Sequence, residues 1–105
     1  LQWFRSGTNL HRVWDSNLIE HFDMAYTELA KNRKVVTKNQ IKEWEKGTIA
    51  DWLHETHQLT PKIYASVTTG QNLGFEYAYE HMDLVRLQLH KAGIRLAKVL
   101  NEIFI

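Results

Sequence analysis

An apolar stripe near the end of the chain constrains the fold most. Met82, Val85, Leu89, Ala92, Leu96, Leu100 and Ile103 follow one another at steps of three and four, the spacing that stacks side chains on one face of an α-helix. Val99 and Phe104 widen the stripe. The pattern predicts one long C-terminal helix whose apolar face must be covered by other helices. Gly93 lies inside it at a cost of about 1 kcal/mol relative to alanine, and a small residue there is expected to let a neighbouring helix approach.

Upstream, Asn9 is a good N-cap. Leu10, Val13, Trp14, Leu18, Phe22, Ala25, Tyr26 and Leu29 then keep the three-and-four spacing, which predicts a helix over about 9–31. The polar run Lys31-Asn32-Arg33-Lys34 reads as a solvated loop that ends it. Thr37 followed by Gln40 is a capping-box pattern and predicts a short helix over 39–46, stopped at Gly47. Thr48 through Asp51 repeats the start signal, and Ile49, Trp52, Leu53 and Leu59 predict a helix to about 59. Pro61 either kinks it or opens a further turn carrying Ile63, Tyr64 and Val67. Residues 68–72 read as a loop, Leu1–Phe4 as an edge or hairpin strand, and Arg5-Ser6-Gly7 as its turn. The expected fold is all-α: a bundle of three to four helices with a long C-terminal helix, in a single segment over residues 1–105.

Charge excludes some partners. Thirteen basic residues face twelve acidic ones, without a basic arm or acidic tail to attract nucleic acid by bulk electrostatics. The absence of Cys removes disulfides, thiolate metal sites and thiol nucleophiles. No apolar run approaches a membrane span, and no signal peptide is read. There is no Gly-rich phosphate loop. The chain opens on Leu1-Gln2-Trp3-Phe4, with no Met and no polar lead-in, and is expected to start inside a structure.

One pair of residues has the spacing for metal chemistry. His11 and Asp15 stand four apart on the first helix, one turn apart on one face. Imidazole and carboxylate so placed can share a zinc ion; they can equally form an ordinary surface pair. His54-Glu55-Thr56-His57 is not the zincin motif, which needs its histidines at i and i+4 rather than i and i+3. Glu55 reads better as a structural acid paired with Arg95 on the last helix. His21, His81 and His90 are expected to be exposed. Trp14 and Trp52 read as core aromatics, whereas Trp3 and Phe4 are less settled between core and base stacking.

The string Thr8-Asn9-Leu10-His11-Arg12-Val13-Trp14-Asp15-Ser16 resembles the last metal motif of the nuclease S-one / P-one family, the zinc-dependent single-strand nucleases and 3′-nucleotidases. The resemblance extends along the chain. Leu1 to Gly7 is similar to the strand and turn before that motif. Asp51-Trp52 with Glu55, and then Tyr64, are similar to the family's middle helices. Ala92-Gly93-Ile94-Arg95-Leu96-Ala97 with Leu100-Asn101 resembles its C-terminal helix.

The resemblance implies a mostly helical fold shared with zinc phospholipases C. It also implies a site of three zinc ions and hydrolysis of single-stranded RNA or DNA to 5′-phosphate products. His11 and Asp15 would be two ligands of the zinc that stands apart from a bridged pair. Family members are more than twice this long. The N-terminal Trp, the early His and Asp ligands, the upstream His-x3-Asp-x5-His segment and the Gly-Gly-Asn stretch associated with base recognition are not in this sequence. The resemblance therefore implies a C-terminal portion, inactive alone, from an enzyme secreted or periplasmic in its full-length form. A competing reading is an inactive helical fragment that self-associates as a homo-oligomer through uncovered apolar faces, which light scattering would reveal. Phospholipase C activity ranks below the nuclease reading.

Overall fold

Three short strands, the first helical stretch and a long last helix meet at one end of the molecule. The computed structural model describes residues 1–21 and 36–104. Strand β1 (Gln2–Trp3) pairs antiparallel with β2 (Ser6–Gly7), in the register Gln2 with Gly7 and Trp3 with Ser6. The reversing residues are therefore Phe4 and Arg5, not the Arg5-Ser6-Gly7 expected from composition. Both have positive φ, 48° and 67°, the tight hairpin geometry that ordinarily takes Asn-Gly.

Non-local contacts hold this pair of left-handed residues in place. The Phe4 N–H donates to Leu73 O at 2.7 Å, and the Arg5 N–H donates to Asn72 Oδ1 at 2.8 Å. The Phe4 ring meets Phe75 edge-on at 4.8 Å and stacks on His21 at 5.8 Å. Strand β3 (Asn72–Leu73) pairs parallel with β1, which gives the sheet order β2-β1-β3.

The first helix is not uniform. Asn9 caps it by accepting the Arg12 N–H at 2.8 Å. It then runs as α1 (Leu10–Arg12), a π-helical segment (Val13–Asn17) and α2 (Leu18–His21). The rest of the expected 9–31 helix, including Phe22, Ala25, Tyr26, Leu29 and the loop Lys31–Lys34, lies outside the described residues.

The capping predictions hold for the middle helices. In α3 (Lys38–Glu45), Gln40 N–H donates to Thr37 Oγ1 at 3.1 Å and Thr37 N–H donates to Gln40 Oε1 at 2.9 Å. In α4 (Ile49–His57), Thr48 and Asp51 form the same reciprocal box. The backbone and side-chain hydrogen bonds from Thr48 hold the Asp51 carboxyl below its ordinary range. Between the two helices Gly47 takes φ +91°, a conformation that favours glycine. Pro61 sits in the first turn of α5 (Thr60–Ala65), so it opens a new helical turn.

The last helix, α6 (Phe75–Phe104), starts seven residues before the apolar stripe. Tyr77 and Ala78 in that extra stretch are buried, as is Val85, and packing there extends the helix. The core consists of Val13, Leu18, Leu73, Tyr77, Ala78 and Val85, with Leu1, Trp3, Trp14 and Val67 packed against it. It gathers around the sheet and the N-terminal third of α6. Farther along, Leu96 and Ile103 are exposed, as are Ile49 and Leu53 of α4. The stripe that predicted α6 is thus largely bare toward its end. No described atom lies within 4 Å of where a Gly93 Cβ would stand, so no helix among the described residues makes the expected close approach there. The radius of gyration is 15.6 Å, against about 13 Å for a compact chain of this length. No helix among the described residues is long and apolar enough to cross a membrane.

Where α6 meets α3, cations close a helix end. Arg95 Nε donates to Trp44 O at 2.9 Å, and Lys98 Nζ donates to Glu45 O at 2.8 Å. These carbonyls lack intrahelical donors and carry the negative end of the helix dipole. Trp52 Nε1 donates to Lys46 O at 2.9 Å, and its ring lies 5.3 Å from the Arg95 guanidinium carbon.

Glu55 pairs with Arg95, as the sequence suggested. Their charged atoms are 2.6 Å apart, without hydrogen-bond alignment at Glu55 Oε2, and Lys91 Nζ donates to the other oxygen at 3.2 Å. Burial pushes the Glu55 carboxyl up, but Arg95 and Lys91 outweigh it and leave it below the ordinary value of 4.5. A depressed carboxylate contributes stability above its unfolded-state pKa, and that contribution is lost as pH falls through the folded value. Stability measured by urea unfolding is therefore expected to decline below pH 4.5, with a shallower decline in Glu55→Gln. Equal acid slopes in the two proteins would rule out this pair as a source of the decline.

Candidate metal-ligand turn

His11 lies in α1 and Asp15 in the π segment that follows it. Both side chains are exposed, and neither is bound by a hydrogen bond or ion pair among the described residues. Exposure also means that Asp15 needs no internal counter-charge beside Trp14.

The widened turn follows from what its apolar residues must reach. Val13 and Leu18 are five apart, yet both are 0% exposed. Regular α-geometry would point them to different sides. The Leu18 N–H instead donates to Val13 O, closing a turn one residue wider that brings both to the core. Such single-turn π segments recur at functional sites.

Two hydrogen bonds fasten the turn from outside. Trp14 Nε1 donates to the Tyr77 hydroxyl at 3.0 Å, and Thr8 Oγ1 donates to Asn17 Oδ1 at 2.8 Å. The Trp14 ring also packs edge-on against Tyr77 and His81.

An exposed imidazole and carboxylate without competing partners among the described residues suit zinc chemically. They are an incomplete set, however. Among the described residues no group of three or more His, Cys, Asp and Glu could hold a metal ion. His11 and Asp15 are thus two donors, short of a full set among the described residues.

The other histidines separate from this pair. His54 and His57 are exposed on α4, with His54 Nε2 beside the Gln58 side-chain amide at 3.2 Å. His81, expected to be exposed, is half-buried. Its Nδ1 lies 2.8 Å from Tyr77 O and its ring packs on Trp14 and Tyr77. His21 and His90 are half-buried as well, and His21 belongs to the aromatic cluster with Trp3, Phe4 and Phe75. Polar neighbours in sequence concealed aromatic neighbours in space.

Tyr77, Ser66, Thr8 and Asn17 are the supporting residues that sequence reasoning missed. A signal for Tyr77 existed: carrying the helical spacing back from Val85 reaches Ala78 and then Gly74, with Tyr77 on the same side.

The S1/P1 nuclease family matches the chain over residues 1–105, and the chain belongs to that family. Endonuclease 2 of Arabidopsis thaliana is 31% identical over 119 residues, covering 99% of this chain and 41% of the relative. Endonuclease 3 of the same plant is 32% identical over 120 residues, with 99% and 41% covered. Endonuclease 4 is 31% identical over 120 residues, with 99% and 40% covered. The chain thus spans about two fifths of the length of these relatives.

Proposed function

We propose that the chain is the C-terminal portion of a zinc-dependent nuclease that hydrolyses phosphodiester bonds in single-stranded RNA or DNA, and 3′-nucleotides, to 5′-phosphate products. Its contribution to the site is His11 and Asp15, two ligands of one zinc ion. The observation that carries the reading is this exposed pair on a widened, externally fastened turn, in a chain that matches the S1/P1 nuclease family throughout. When bound, zinc supplies charge for the phosphoryl oxygens and lowers the pKa of coordinated water. The protein's part is to present both donors from one helix, on a rigid base, to the solvent side where a strand can approach. The near-neutral charge fits a substrate held by metal ions and base stacking rather than by a basic surface. The enzyme is secreted or periplasmic in this reading.

Two donors do not complete a zinc shell. The chain by itself is therefore expected to leave single-stranded RNA and DNA intact with added zinc, whereas the longer polypeptide is expected to cleave RNA or DNA in a zinc-dependent way. Gel analysis of digests decides this. Zinc-dependent cleavage by the chain alone, abolished by His11→Ala, would overturn the assignment of only two ligands.

The bare apolar surface favours a second reading, self-association. Ile103 and Phe104 are 64% and 80% exposed. Such a surface suits a partner that covers it, whether the preceding part of the same enzyme or a second copy.

A further inference from the structure

A directed hydrogen-bond chain runs behind the metal-ligand turn. The Trp14 indole can only donate, so its 3.0 Å contact makes the Tyr77 hydroxyl oxygen an acceptor. At the other end, Ser66 Oγ lies 2.6 Å from the Ile63 carbonyl, which can only accept. The Ser66 proton is thereby committed, and the 2.8 Å contact between Tyr77 and Ser66 must be donated by Tyr77. The order is Trp14 to Tyr77 to Ser66 to the Ile63 carbonyl, with each hydroxyl donating once and accepting once. Bonds aligned head to tail in a partly buried setting strengthen one another.

The chain joins three elements: the π segment, α6 and the end of α5. Tyr77 is its centre and is only 6% exposed. Its carbonyl lies 2.8 Å from His81 Nδ1, and the His81 ring packs over the Tyr77 ring at 4.1 Å. The hydroxyl therefore has little freedom to leave Trp14.

Trp14 precedes Asp15 and follows His11 by three residues. A π turn is a rare alternative to the regular helix. Its extra residue can be absorbed in more than one register unless something outside the helix selects one. Burial of Val13 and Leu18 favours the wide turn, the Trp14 bond to Tyr77 holds it from outside, and the Thr8 bond to Asn17 marks the far end of the same segment.

We infer that Tyr77 is a positioning residue for the metal ligands: its hydroxyl holds Trp14, fixes the register of the widened turn, and so sets how Asp15 stands relative to His11. The inference rests on the zinc reading of that pair. Tyr77 touches neither ligand and acts only through Trp14.

The test titrates the isotopically labelled chain with zinc chloride and follows the backbone amides of His11 and Asp15 by NMR. Tyr77→Phe keeps the ring and removes the hydroxyl. It is expected to raise the zinc concentration at half-saturation about tenfold, the lower end of what removing a supporting group outside the ligand set does. Tyr64→Phe, on an exposed ring, is expected to titrate like the parent chain. Ser66→Ala spares the Trp14–Tyr77 contact and is expected to shift half-saturation less, in the same direction. If Tyr77→Phe does not fold, Ser66→Ala carries the test.

A lowered melting temperature with unchanged half-saturation would reduce Tyr77 to a packing residue and overturn the inference. Saturable shifts that persist in both His11→Ala and Asp15→Ala would overturn the zinc reading itself, and this inference with it.

Discussion

Zinc-dependent strand cleavage by the longer polypeptide is expected to fall roughly a hundredfold or more when His11 or Asp15 is replaced by alanine. A bound metal contributes several kcal/mol of charge stabilisation in hydrolytic sites, and removing one of its ligands puts most of that at risk. Both side chains are exposed and neither supports the core, so with zinc removed the variants are expected to melt at the parent's temperature. That separation makes the measurement decisive. Initial rates on single-stranded substrate, taken with zinc content and thermal unfolding, should show lost rate and lost metal without lost fold. Activity within a few-fold of the parent in both variants would remove this pair from the metal site. A double variant should be little worse than either single one, because two ligands of one ion act as a unit.

Leu18→Ala is expected to destabilise the chain by about 3 kcal/mol, the range for emptying a fully buried leucine position. Leu18 is 0% exposed and anchors the closing end of the π turn. Six of the described residues form the buried core, and small domains hold about 5–15 kcal/mol in total, so the loss is a large share. The comparison is Leu53→Ala, a leucine that is 67% exposed and whose replacement should cost within about 0.5 kcal/mol. Urea unfolding followed by circular dichroism measures both. Equal costs would mean that burial at the turn does not stabilise the fold as described. A further consequence separates Leu18 from His11: its loss should weaken both folding and metal binding, since the turn and the core share residues.

Local rules carried the sequence reading a long way. Thr37 with Gln40 and Thr48 with Asp51 marked their helix starts correctly, because a capping box is complete within four residues. The expectation of a Glu55–Arg95 pair was also met, across forty positions of sequence. The errors lie where distant segments decide. The turn at Phe4-Arg5 breaks the composition rule because Asn72, Leu73 and Phe75 hold it. His81 looks solvent-facing among charged neighbours in sequence, yet Trp14 and Tyr77 pack against it. The π segment shows the same limit: Leu10, Trp14 and Leu18 keep the four-residue α spacing, and nothing in that spacing announces a wider turn.

The sequence by itself determined the helical class, the starts of the helices capped at Asn9, Thr37 and Thr48, and the family string around His11 and Asp15. Each of these depends on residues within one or two turns, whose geometry the backbone sets locally. Only the tertiary structure decided which part of the long apolar stripe is buried, which residues turn the hairpin, and what fastens the ligand-bearing turn. Those outcomes depend on which partner a side chain meets. Tyr77 meets Trp14 across 63 positions of sequence, a distance over which no periodicity reports.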